Sequence, residues 1–192
     1  MHKIARMAGC ALACCLVAVA FTHAQPTPAA KPAVGTAQNP AQIYGKLLSG
    51  MEKEFVDAAD AMPEDKFNFA PTQGEFKGVR SFGSQIKHVA EANYYFFAGD
   101  SFSDTEDKAK TEAIEKLTSK ADIMQALKDS FKMAHALVDG MTADNAFVTT
   151  THGTRAGMTS FGLAHMMDHY GQLVVYLRMN GIVPPASRGG GM

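Results

Sequence analysis

The sequence predicts an all-α fold, a four-helix bundle, and three observations carry that prediction. Four stretches of roughly 20 residues place apolar side chains at steps of three and four. No segment alternates apolar and polar residues over the length of a strand. The chain has 192 residues, 46% hydrophobic and 19% charged, which suits one domain around one core.

Charge narrows the function. Eighteen Lys and Arg against 19 Asp and Glu give a net charge of −1, and no basic tract exceeds two residues. That argues against a nucleic-acid partner bound along its phosphates.

The first 24 residues read as a secretory signal peptide. Lys3 and Arg6 form the basic start, Met7 to Phe21 an uncharged apolar run, and Thr22-His23-Ala24 the small residues of a cleavage site, so cleavage is expected after Ala24. The run of 15 residues is short of the roughly 20 that a membrane span needs. A retained anchor is the alternative; with cleavage, no stable membrane insertion is expected. The chain is therefore expected to be periplasmic or secreted. Cys10, Cys14 and Cys15 all lie in the signal, so the mature chain has no thiol, disulfide or Cys ligand. Losing Lys3 and Arg6 without any acid takes the net charge to −3. Residues 25–40 are Pro- and Ala-rich without periodicity and read as a linker. Residues 41–185 form the expected bundle, and 186–192 a flexible Gly-rich tail.

Each helix has its own signals. The first, Ala41 to Ala61, follows Ile43, Tyr44, Leu47, Leu48, Met51 and Phe55 and stops at Met62-Pro63. A long Pro- and Gly-punctuated connection leads to the second, about Val79 to Ala98, centred on Phe82, Ile86, Val89, Phe96 and Phe97. Residues 100–120 are a polar connection with a short helix expected around Thr111 to Leu117. Ser119, three before Asp122, is an N-cap signal for the third helix, which follows Ile123, Leu127, Phe131, Ala134 and Val138. The fourth, about Thr154 to Asn180, has Asp168 as its only charge between Arg155 and Arg178, and so is expected to be central. Gly181 and Pro184-Pro185 end it.

Five histidines lie beyond the signal. His165 and His169, four apart on a helix, share a face that also carries Met158, Phe161, Gly162, Gln172, Tyr176 and Met179. Burying imidazoles unpaired costs on the order of 1–3 kcal/mol each. Two explanations stand: hydrogen-bonded core histidines, or a shared divalent metal. His88, on another helix, is the third candidate ligand, though an ideal wheel sets it more than about 100° from the apolar centre of its own helix, near Gln85 and Tyr95, where it either flanks a site between helices or meets solvent. His135 and His152 read as ordinary packing and loop residues. Asp168 and Gln172 are candidates to orient a ligand imidazole; a helix–helix hydrogen bond for Gln172 and solvent for Asp168 are the plain alternatives. Glu91, one turn past His88, reads as a solvated acid before it reads as a base. No nucleophile signature is present.

Two blocks carry a family resemblance: Phe69-Ala70-Pro71-Thr72-Gln73-Gly74-Glu75-Phe76 leading to Ile86-Lys87-His88-Val89-Ala90, and Ala164-His165-Met166-Met167-Asp168-His169-Tyr170-Gly171-Gln172-Leu173, with the ending Tyr176 to Pro185. Together they resemble the DinB-like superfamily, related to the DinB and YfiT proteins. The resemblance implies a bundle with an up-down-down-up path and long connections. It implies a metal site at His88, His165 and His169, and it allows a homodimer. Activities known in the family include thiol-dependent transfer and isomerisation with mycothiol or bacillithiol. The export signal departs from those cytoplasmic enzymes, since an oxidising compartment keeps no reduced thiol pool.

Three imidazoles suit Zn, Ni, Cu or Fe, and three protein ligands leave a position for water or substrate. The expected function is a metal-dependent hydrolase or transferase acting on an unidentified small molecule. The alternatives are a non-catalytic metal binder for sequestration or sensing, which the 12 methionines make conceivable for copper, and a metal-free interaction bundle. A di-iron carboxylate site is disfavoured, because no Glu-x-x-His pair occurs on a helix.

Overall fold

The computed structural model of the chain describes residues 31–99 and 104–189. The expected signal peptide, the start of the linker and the last three residues lie outside them. Two units divide the chain after Thr36. Of the first, the described residues 31–36 hold a turn closed by Thr36 N–H on the Ala33 carbonyl, 3.1 Å. The second holds every helix found among the described residues.

Helix α1 spans Pro40–Ala61. Asn39 caps it, its side-chain oxygen accepting from Ala41 N–H at 2.9 Å, and Pro40 takes a first-turn position that needs no N–H. Helix α2, Phe82–Phe97, starts three residues later than its periodicity suggests, because the Ser81 hydroxyl takes up the Ser84 N–H as N-cap. The long connection before it is tied to that start. Phe82 N–H donates to the Phe69 carbonyl (2.8 Å) and Gly83 N–H to that of Phe67 (2.7 Å), so the free donors of the first turn are satisfied.

Helix α3 runs over Asp104–Glu115, longer and earlier than the short helix expected around Thr111. It is polar, with Ile114 its buried anchor, which is why hydrophobic periodicity shows only its last turn. Helix α4, Lys120–Asp139, begins at the expected N-cap, Ser119 accepting from Asp122 N–H. Two-residue strands β1 (Thr149–Thr150) and β2 (Gly153–Thr154) then pair antiparallel, a ribbon too short to show as alternation. Helix α5, Arg155–Met179, is capped by Thr154, and Gly181 follows it with φ +73°, the left-handed residue expected past a C-terminus.

The fold is all-α, and its packing is simple. Helices α1 and α2 each pack against both α4 and α5, while α3 packs on α2. Phe55, Phe82, Phe131, Leu48, Leu127, Leu173 and Leu177 fill the core with less than 2% exposure. Each such side chain contributes about 1.5–3 kcal/mol of burial free energy. Asn93 Nδ2 donates to Ser130 Oγ at 3.0 Å, tying α2 to α4 inside this core.

Two expectations need correction. Helix α5 is not buried all round: Phe161, Met167, Val175 and Met179 are about half exposed or more, so the lack of charge on α5 does not make it central. The chain also keeps its order past residue 185. Pro185–Ser187 form a 3₁₀ turn packed on α1, with Arg178 donating to Ser187 Oγ and Arg188 Nε to the Val183 carbonyl.

Candidate metal centre

The α2–α5 seam brings His88, His165 and His169 together. One helical turn separates His165 from His169 and sets their ring centroids 4.5 Å apart. Facing them from α2, His88 has its centroid 5.0 Å from that of His165 and 4.9 Å from that of His169. Its flank position on the wheel is thereby explained, for the flank of α2 is the side that meets α5. The Nε2 atoms converge: His88 to His165 is 3.1 Å, and His165 to His169 is 3.1 Å. Candidate ligand atoms of all three lie within 4.8 Å of one another.

A chain of hydrogen bonds fixes one tautomer. The Asp168 carboxylate can only accept, and it accepts from Gln172 Nε2 at 3.1 Å. Gln172 therefore presents Oε1 to Gln85, whose Nε2 donates at 2.6 Å. Gln85 in turn presents Oε1 to His169, so the Nδ1–H donates at 2.5 Å. The proton of neutral His169 thus sits on Nδ1, and a bare lone pair on Nε2 faces the other two rings.

Asp168 and Gln172 do not reach a ligand imidazole directly; they act through Gln85, which the sequence reading set near His88 without a role. Gln85 is 1% exposed and spans the seam. Its place one turn before a candidate ligand is the only trace of this in the sequence; its burial and its partner come from the packing of α2 against α5. Gln172 makes the helix–helix bond that was its plain alternative, in the same network.

Burial lowers the pKa of all three imidazoles. His88 falls to about 4, first by desolvation and then by the charge of Arg80. His169 falls to about 4 by desolvation and by the two neighbouring rings. His165 is lowered chiefly by desolvation, with Asp168 opposing. At neutral pH all three are uncharged, the state a metal requires. The buried Nδ1 of His165 has no hydrogen-bond partner among the described residues.

Two cavities adjoin the triad. A polar one of about 340 Å³ is lined by Arg80, Ser84, Lys87, His88, Glu91 and Glu115. The other, about 280 Å³, is mainly apolar, with Ala92, Tyr95, Phe96 and Thr111 beside His88 and His165. Glu91 lines both. It is not the solvated acid its position suggested: it is half-buried, and its Oε1 has no hydrogen-bond partner among the described residues. Desolvation, helped by Glu115, pushes its carboxyl up to about 7. Helix α3 supplies Thr111 and Glu115 to the walls. Lys87 holds the end of α3, donating to the carbonyls of Glu115 (2.7 Å) and Leu117 (3.2 Å). A separate void of about 10 Å³ behind Phe96 and Phe97 has room for one water and no ligand.

His135 pairs with Glu52 at 2.8 Å and His152 packs on Tyr95, with centroids 4.7 Å apart, in keeping with ordinary structural roles.

The model of the DinB superfamily matches residues 47–173, a span that runs from α1 past His169. The chain belongs to the DinB superfamily. No curated protein matches its sequence. In this DinB-superfamily chain the matched span contains all three histidines and the whole Gln85–Gln172–Asp168 relay.

Proposed function

We propose that this chain is an exported DinB-superfamily protein that holds one divalent ion, Zn, Ni, Cu or Fe, on His88, His165 and His169, and acts as a metal-dependent hydrolase or transferase. The observation that carries the reading is the fixed tautomer of His169, whose Nε2 lone pair faces two more imidazoles across the α2–α5 seam. At most one ring proton can serve each 3.1 Å contact, and a neutral His165 has one proton for two nitrogens. A cation between the rings satisfies the lone pairs together. The spacing suits it: tetrahedral zinc–nitrogen bonds of about 2.0–2.1 Å set nitrogens about 3.3 Å apart.

Three protein ligands and two open cavities favour catalysis over a closed structural site. A bound divalent ion supplies Lewis acidity to a substrate oxygen. Glu91, held near neutrality by burial, is the group placed to take or give a proton at Oε1. Tyr95 and Phe96 shed water from the apolar wall.

Supplementing the chelated protein with zinc, nickel, copper or iron should raise its Tm, because an ion that binds only the folded state stabilises it. A Tm indifferent to all four contradicts the reading. Hydrolase and transferase screens on the loaded protein should be silenced by chelation, and by Glu91→Gln with the metal retained. Export rests on the first 24 residues, and it is tested by N-terminal sequencing of the protein from the periplasm or medium. A start at Gln25 is expected; an intact Met1 in the cytosol contradicts export.

A further inference from the structure

The two cavities beside the triad differ in chemistry, and the charge balance of the polar one is uneven. Arg80 and Lys87 there oppose Glu91 and Glu115, so the four groups roughly cancel when both acids are ionised. The two cations are not equivalent. Lys87 is spent on the carbonyls that end α3. Arg80 is exposed, and no hydrogen bond or ion pair of its guanidinium is found among the described residues. Its backbone is fixed, since the Tyr176 hydroxyl donates to its carbonyl at 3.2 Å. Its side chain lines the same cavity as His88 and Glu91, which places an exposed cation at the mouth of the centre.

A divalent ion on three neutral imidazoles adds two positive charges to the same space. An unpaired guanidinium and a dication facing one cavity repel each other, and an anion between them relieves both. The neighbouring lobe is of the opposite character, walled by Ala92, Tyr95 and Phe96. Because His88 and Glu91 belong to both lobes, one small molecule can occupy both.

We propose that the site takes a small anionic amphiphile, its carboxylate or phosphate held between Arg80 and the metal position and its apolar or aromatic body against Ala92, Tyr95 and Phe96. This rests on the metal reading above. It names the class of substrate that the reading leaves open.

Calorimetric titration of the zinc-loaded full domain tests it with four probes: benzoate, phenyl phosphate, benzamide and acetate. Benzamide keeps the body without the charge, and acetate the charge without the body. Benzoate or phenyl phosphate should bind at least about tenfold tighter than either control, and the stronger of the two identifies the anion. Arg80→Gln should weaken that probe by about tenfold while zinc content and benzamide binding stay unchanged. Benzamide binding as tightly as both anions, or Arg80→Gln leaving benzoate and phenyl phosphate unaffected, overturns the anion assignment while the metal reading stands. Zinc content of the same samples separates the two failures. A protein that does not retain zinc, nickel, copper or iron overturns the metal reading and this proposal with it.

Discussion

Gln85 Oε1 lies 2.5 Å from His169 Nδ1 and joins α2 to α5 at the point where three imidazoles converge. The bond sets which nitrogen of His169 carries its proton. The same amide receives its orientation from Gln172 and, through it, from Asp168.

Gln85→Leu removes that orientation and leaves His169 Nδ1–H and Gln172 Oε1 without their partner. Metal affinity should fall by about 10–100-fold, the usual effect of losing a group that orients a ligand imidazole. Equilibrium dialysis against zinc measures it. Unchanged affinity would show that the relay has no part in metal binding.

The buried histidines make the metal-free protein sensitive to acid. Their folded pKa values are depressed, to about 4 for His88 and His169, from about 6.5 in the unfolded chain. Unfolding therefore takes up protons between these values, and stability present above pH 6.5 is lost as pH falls towards 4. Glu91 acts in the opposite sense. Its raised pKa contributes stability below about 4.5 that is lost as pH rises through about 7. Tm of the chelated protein should fall between pH 6.5 and 4, and less steeply in His88→Ala/His165→Ala/His169→Ala. Equal slopes would contradict the burial of the neutral rings.

At Gly162, α5 packs tightly against the last turn of α2. A Cβ there would sit 2.8 Å from Phe97 Cε2 and 3.0 Å from Phe96 Cβ. Gly162→Ala gains about 1 kcal/mol of helix propensity but forces the rings apart at a cost of about 1–3 kcal/mol. Tm should drop. Metal affinity should drop with it, since Phe96 packs on His165 with centroids 5.2 Å apart. A rise in Tm would mean that the seam yields without loss.

Lys87→Met leaves the last carbonyls of α3 without their donor. Losing two charge-assisted bonds at a partly exposed site should cost about 1 kcal/mol, felt locally because α3 packs on α2. Hydrogen exchange in residues 104–117 should accelerate while the core of α4 is unchanged. Uniform exchange across both helices would contradict a local role.

How far the sequence could be read depended on what each residue faces. The N-cap at Ser119 and the stop at Met62-Pro63 rest on local chemistry, and the structure places helix ends there. Helix α3 was mostly invisible because one buried isoleucine carries no periodicity. The exposure of Phe161 and Val175 is not legible, because composition cannot say which side of an apolar helix is covered. At the centre, the i, i+4 pair was legible from spacing alone. His88 is a candidate as a further imidazole on another helix, but its wheel position leaves solvent as an alternative, since a wheel shows only its own helix; the family resemblance points to the metal site. Gln85 and the burial of Glu91 arise from the packing of α2 against α5 and from the wall made by α3, which no single segment encodes.

The central claim, one divalent ion on His88, His165 and His169, is tested most directly by elemental analysis. The domain from Gln25, purified without a histidine tag and incubated with zinc, nickel, copper or iron, is compared with His88→Ala/His165→Ala/His169→Ala. The account predicts close to one metal per chain in the first and none in the second, with circular dichroism showing both equally helical. A metal-free domain after incubation with all four ions, or equal metal in the variant, would contradict it.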